Sequence, residues 1–217
     1  TLYGFWNSGR YEEIETIPTY YGHGSLRIFL KHEHGGRLAI IIDDFGQSRD
    51  GVEEMLSISK PLTIAVMPFL EYSEADAKKA HDKGHEVIVH LSMEPVKGKK
   101  SWLGPNPILS GMEQETVRNI VRQAFESVPY ASGANIHMGS KASSEKDIVT
   151  AILEVIKEKG LYFVDSRTSV HPVAKDIADS MGVICLERNV FLDGTKSKER
   201  IRKNLSKAGE IALKNGQ

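Results

Sequence analysis

Leu38-Ala39-Ile40-Ile41-Ile42-Asp43-Asp44-Phe45-Gly46 is an apolar run that stops abruptly at two carboxylates. Residues 38–42 are too few for a helix and rich in Ile, so they read as a buried strand. Two adjacent carboxylates at the end of a buried strand are costly unless something compensates their charge. Adjacent residues there point in different directions, so one Asp can bind a metal while the other faces a reacting water. Asp also favours helix N-caps, and a helical pattern begins soon after, so the pair alone is open to either reading.

Outward from this strand the same grammar repeats. Short apolar runs at 62–67, 86–89, 134–136, 161–164 and 183–186 alternate with helical patterns at 51–57, 73–83, 113–127, 145–159, 172–180 and 196–214. Ser144 reads as an N-cap, and Gly84 and Gly160 as helix stops. Strand-helix alternation implies parallel strands with helices outside. No Gly-x-Gly-x-x-Gly follows the first strand, so a dinucleotide fold lacks its usual support. In an open sheet and in a barrel alike, function gathers at the carboxyl ends of the strands.

Those ends hold a consistent set. The third strand runs into His90, with Glu94 four residues on; a helical turn there would set both on one face. Imidazole and carboxylate together suit zinc, although a lone buried His is more commonly hydrogen-bonded to backbone. The fourth strand leads into Asn135 and His137, two apart and therefore on one side. The fifth leads into Asp165-Ser166-Arg167-Thr168. Asp, His and His at strand ends are the ligands of an open catalytic metal site with room for a water.

The composition sets bounds. A chain of 217 residues supports one sizeable core. A formal net charge of -1 gives no bulk attraction to nucleic acid, and the basic residues are scattered apart from the last helix. No apolar run approaches the roughly 20 residues of a membrane span. The first residues lack the charged and apolar regions of a secretory signal, which leaves the compartment open. Cys185 is the only cysteine and lies in an apolar run, so a buried structural thiol is expected. Residues 1–36 read as an N-terminal extension with one added strand near 25–31, and residues 37–217 as the main domain. His23, His32 and His34 lie in a Gly-rich linker without a scaffold for a metal.

Four segments, 39–46, 90–95, 135–140 and 163–168, together resemble the divergent polysaccharide deacetylases, in that family's order. The resemblance covers roughly 37–217. It implies an α/β fold, a distorted (β/α) barrel of about seven parallel strands, and a metal-dependent hydrolase that removes acetyl groups from a glycan. It makes Asp43 the catalytic base and Asp44 a ligand of Zn2+ or a similar divalent ion. Relatives take further ligands from a His-x-x-x-His segment, of which this chain keeps His90 and has Glu94 at the second position. His137 is the preferred third ligand in place of Glu94, which then either supports the ligands from behind or faces the substrate. Asp165 and Arg167 match the segment that positions the base, Arg167 pairing with Asp43 or Asp165. Asn135 or Ser140 is expected as a donor to the oxyanion, and Trp102, on the irregular loop 97–107, as a cap on the barrel or a stacking surface for a sugar ring. A polysaccharide substrate points to an extracellular or periplasmic location.

Two departures stand beside the resemblance. Only six strands are counted after residue 37, and a seventh with a Gly-His-Pro segment is missing, so either the chain is cut short or residues 25–31 close the barrel. The general acid is therefore unassigned. Competing readings are an amidase or phosphoesterase with the same ligands, and a glycan-binding relative without catalysis.

Overall fold

The computed structural model describes residues 12–18, 25–30, 36–194 and 197–215. Two strands, β1 (Glu12–Pro18) and β2 (Ser25–Leu30), pair antiparallel as a sheet of their own. The strand expected near 25–31 therefore exists, but its partner is β1 and not an edge of the main sheet. His23, His32 and His34 lie outside the described residues.

The main sheet holds six parallel strands: β3 (Ile41–Phe45), β4 (Thr63–Val66), β5 (Glu86–Met93), β6 (Ala131–Met138), β7 (Tyr162–Asp165) and β8 (Cys185–Glu187). Their order in the sheet is their order in the chain. Every crossover thus steps the same way. With the right-handed connections such units adopt, all the helices fall on one face and the sheet winds as a distorted (β/α) barrel rather than a doubly wound sheet. The helices are α1 (Val52–Leu56), α2 (Ser73–Asp82), α3 (Gln114–Ser127), α4 (Lys146–Glu158), α5 (Ala174–Met181) and α6 (Lys198–Asn215). No seventh parallel strand follows β8 among the described residues. The chain passes instead into α6, tied back where the Asn204 side-chain amide donates to the carbonyls of Phe191 and Leu192 at 3.2 and 2.9 Å.

Alternation along each strand divides two cores. On β5, Val87, Val89, Leu91 and Met93 face the helices, while Ile88 belongs to an inner cluster with Ile41, Ala65 and Val164. Outside, α4 packs Ile148, Ile152, Val155 and Ile156 against the sheet, each worth about 1.5–3 kcal/mol of burial. Cys185 is buried on the same outer face, where burial, foremost, pushes its thiol up to about 12. The expected stop at Gly160 is present, with φ 67° and its N–H on the Lys157 carbonyl. Ser144 is not the N-cap of α4. Its hydroxyl turns back to the Lys141 carbonyl, and Glu145 takes the cap position.

Candidate active site at the carboxyl ends of the strands

β3 slips register at its end. Ile42 pairs with Ile64 and Phe45 with Val66, so three steps on β3 match two on β4. Within this bulge Asp44 has φ 68°, a left-handed conformation that Asp tolerates better than most residues. Simple alternation would aim Asp43 inward and Asp44 at the helices. The bulge turns Asp44 back, so both carboxylates serve one site. The turn beyond is held from α2. Gly46, at φ 97°, donates its N–H to the fully buried Asp76 at 3.0 Å, and Arg49 pairs with the other oxygen of that carboxylate. A Cβ on Gly46 would stand 3.0 Å from the Met67 carbonyl oxygen.

β5 and β6 are longer than the apolar runs suggested, so His90 and His137 lie within strands. His90 is paired in register with Asn135, and His137 with Ser92. His90 Nδ1 is 2.6 Å from Asn135 Oδ1, which can only accept, so this nitrogen carries the ring proton. The Asn135 amide nitrogen in turn donates to Asp43 Oδ1 at 2.8 Å. His137 Nε2 is 3.1 Å from the main-chain carbonyl of Trp102, and it too is the protonated nitrogen. Both inner nitrogens, His90 Nε2 and His137 Nδ1, are thereby left as lone pairs 3.2 Å apart. Asp44 Oδ1 completes a triangle, 3.3 Å from the first and 2.9 Å from the second.

Three electron-pair donors converging on one point call for a cation between them. A tetrahedral ion with bonds of about 2.0–2.1 Å spaces its ligands about 3.3–3.4 Å apart, close to the triangle seen. The donor set, one carboxylate and two imidazoles with their outer nitrogens engaged, fits zinc or a similar ion and leaves a coordination position open. The same groups favour positive charge between them. Burial opposes ionisation of Asp44, but the imidazoles of His137 and His90, when a proton stands on their inner nitrogens, outweigh it and hold the carboxyl far below its usual range. Burial also opposes protonation of His90, yet the charge of Asp43 and the bond to Asp44 raise it above the usual value.

The triangle opens into a cavity of about 190 Å³ whose walls include Asp43, Asp44, His90, His137, Ser166 and Arg188. Other expected residues lie elsewhere. His90 and Glu94 do not share a helical turn, because β5 continues to Met93; four strand residues span about 13 Å. Glu94 accepts from the Ser110 N–H and from Lys141, each at 2.8 Å, outside the cavity walls. Ser140 accepts from the Val96 N–H. The Trp102 ring is exposed and not among the cavity walls; its carbonyl is what reaches the site. Asn135 is fully buried with both ends of its amide engaged. Arg167 does not pair with Asp43 or Asp165: its guanidinium binds Glu187 at 2.8 Å, and only its backbone N–H reaches Asp165. Asp165 falls on the helix side with Phe163, and among the described residues its buried Oδ2 has no hydrogen-bond partner.

Arg188 and Phe191 line the cavity and were missed in the sequence. The signal existed. Arg188 directly follows β8, so the strand-end rule applied to the earlier strands would have found it.

Comparison with known proteins gives a family and a fold. The family described as divergent polysaccharide deacetylase matches residues 40–217. The chain is 36% identical over 181 residues to the uncharacterized protein YibQ of Escherichia coli K12, a match covering 83% of this chain and 56% of that protein. It is 31% identical over 180 residues to an uncharacterized Haemophilus influenzae protein, covering 83% of this chain and 64% of the other. The chain thus spans less than two thirds of the length of these relatives. The crystal structure of the uncharacterized protein ATU2773 from Agrobacterium tumefaciens C58 superposes with a TM-score of 0.80 at 22% identity, over 87% of this chain and 77% of the other, and shares the fold.

Proposed function

The chain belongs to the divergent polysaccharide deacetylase family, and from that premise we propose that it is a metal-dependent hydrolase that removes acetyl groups from a glycan. The observation that carries this reading is the convergence of Asp44, His90 and His137 with both outer ring nitrogens already engaged. A divalent ion such as Zn2+ at these residues would supply the charge that polarises an acyl carbonyl and acidifies water.

The protein's own groups do the rest. Asp43, its carboxylate oriented by the Asn135 amide, takes a proton from the attacking water as the new C–O bond forms. The C–N or C–O bond to the sugar then breaks, the leaving atom recovers a proton, and acetate departs. Asp43 shares the cavity with the reacting groups and can return the proton it took. Asn135 and Trp102, through its carbonyl, hold the two imidazoles in tautomer and orientation. The cavity volume suits an acyl group and the adjoining part of one sugar, with the remaining glycan outside. One guanidinium lines it among the described residues and not a basic cluster, which does not favour a phosphoester. A polysaccharide substrate puts the reaction outside the cytoplasm.

The test is elemental analysis of the wild type beside Asp44→Ala and His137→Ala after dialysis against trace zinc, followed by an acetate-release screen over acetylated glycans. About one ion per chain in the wild type, lost in both variants, with acetate released, is expected. Full metal content in either variant would refute the ligand set. A metal-free wild type would favour the glycan-binding reading without catalysis.

A further inference from the structure

We infer that Arg188 recognises an acidic group on the substrate, so that the site takes an acylated sugar bearing a carboxylate close to the acyl group. This rests on the reading of the site as a deacetylase. Arg188 follows β8 directly, and alternation from the outward-facing Cys185 sets it on the inner side, as Ser166 follows from the inward-facing Val164. Its Nε donates to the Ser166 carbonyl at 2.6 Å and its Nη2 to the Arg167 carbonyl at 3.2 Å. These bonds occupy the Nε–Nη2 edge. The Nη1–Nη2 end of the fork is left over, and Nη1 makes no hydrogen bond among the described residues. The Phe191 ring lies 4.8 Å from the guanidinium carbon and fixes it from the side. The cation is thus positioned before anything binds, which spares the ordering cost of a long side chain.

Arg188 also differs from the chain's other well-anchored arginines. Arg49, Arg118, Arg122 and Arg167 each pair with a carboxylate, and Arg188 pairs with none among the described residues. A guanidinium that lines a cavity with its Nη1–Nη2 end unbonded matches the two oxygens of a carboxylate; a neutral hydroxyl or amide would use only one of its donors. The cavity of about 190 Å³ holds the space of about six waters, so the acidic group and the acyl group sit on the same sugar.

The experiment is calorimetric titration of the zinc-loaded protein with two acetamido sugar acids, N-acetylmuramic acid and N-acetylglucosaminuronic acid, each beside its methyl ester. Acid and ester differ by one charge. At least one acid is expected to bind on the order of tenfold or more tighter than its ester; which one separates a lactyl from a ring-carbon carboxylate. In Arg188→Gln that ratio falls to near one. In Arg188→Lys, which keeps the charge but not the fork, it falls part of the way, and this variant carries the test should the first not fold. Wild-type ratios near one, failure of all four compounds to bind, or a ratio unchanged in the variants would overturn the inference. If Arg188 only braces the turn at Ser166 and Arg167, acid and ester affinities shift together, the ratio persists, and the inference is likewise overturned. Acetate release followed in parallel separates the two readings. A ratio intact without acetate sinks the hydrolase and leaves the recognition; acetate with ratios near one does the reverse.

Discussion

Replacing Asn135 by Leu removes both hydrogen bonds of a fully buried amide with little change in volume. One bond, at 2.8 Å, orients Asp43; the other, at 2.6 Å, holds His90 Nδ1–H and so aims Nε2 at the ligand triangle. His90 is itself only 2% exposed, so its stranded N–H costs about 1–3 kcal/mol, and the lost bond to a charged carboxylate about 1.5–3 more. Loss of an outer partner of a metal-binding His typically lowers metal affinity about 10- to 100-fold, or about 1.4–2.7 kcal/mol. Asn135→Asp separates the two effects. It keeps an acceptor for His90 but sets a second carboxylate against Asp43, so metal affinity is retained while stability falls. The assay is zinc competition against a chromophoric chelator, with urea unfolding in parallel. A folded Asn135→Leu protein that binds zinc like the wild type would refute the reasoning, because the His90 tautomer would then need no outer partner.

Two further outcomes are expected. Gly139→Ala asks a left-handed residue, φ 73°, to accept a Cβ 2.5 Å from Ile136 Cγ2 and 3.2 Å from Met93 Cβ; conformational cost and overpacking together predict a loss of about 2–5 kcal/mol, read as a lower urea midpoint, and an unchanged midpoint would show that the end of β6 yields. Asp165→Asn removes a buried charge whose Oδ2 lacks a partner, and should stabilise the protein by on the order of 1 kcal/mol near neutral pH. Burial, foremost, raises the carboxyl of Asp165 above its unfolded value of 3.8, so the wild type is penalised above its folded pKa and relieved as pH falls. The advantage of the variant should therefore vanish below about pH 3.8, and an advantage independent of pH would count against the charge as its source.

Much of the site was legible because chemistry and strand ends coincide. The polar residues at or just past the ends of the apolar runs, Asp43, Asp44, His90 and His137, are those the fold gathers, although β5 and β6 run on as strands beyond their apolar residues. Alternation past the end of a run decides which of the remaining residues face the cavity. Phe163 faces the helices, so Asp165 must also, and the inward position is Ser166. The same count from Cys185 passes Leu186 and Glu187 and arrives at Arg188. Glu94 stands apart from His90 for a different reason: a four-residue spacing sets two side chains together on a helix, and here β5 runs on as a strand to Met93.

The sequence by itself determined the parallel α/β architecture, because alternating short apolar runs and amphipathic stretches have few other ways to bury both patterns. It also determined which strand ends carry carboxylate and imidazole. Only the tertiary structure decided how those groups meet. The bulge that turns Asp44 inward, the amide of Asn135 linking Asp43 to His90, and the Trp102 carbonyl that sets the tautomer of His137 all join residues far apart in the chain or depend on backbone torsions. Hydrophobic periodicity carries no record of such contacts, because it reports which face a residue is on and not what stands across from it.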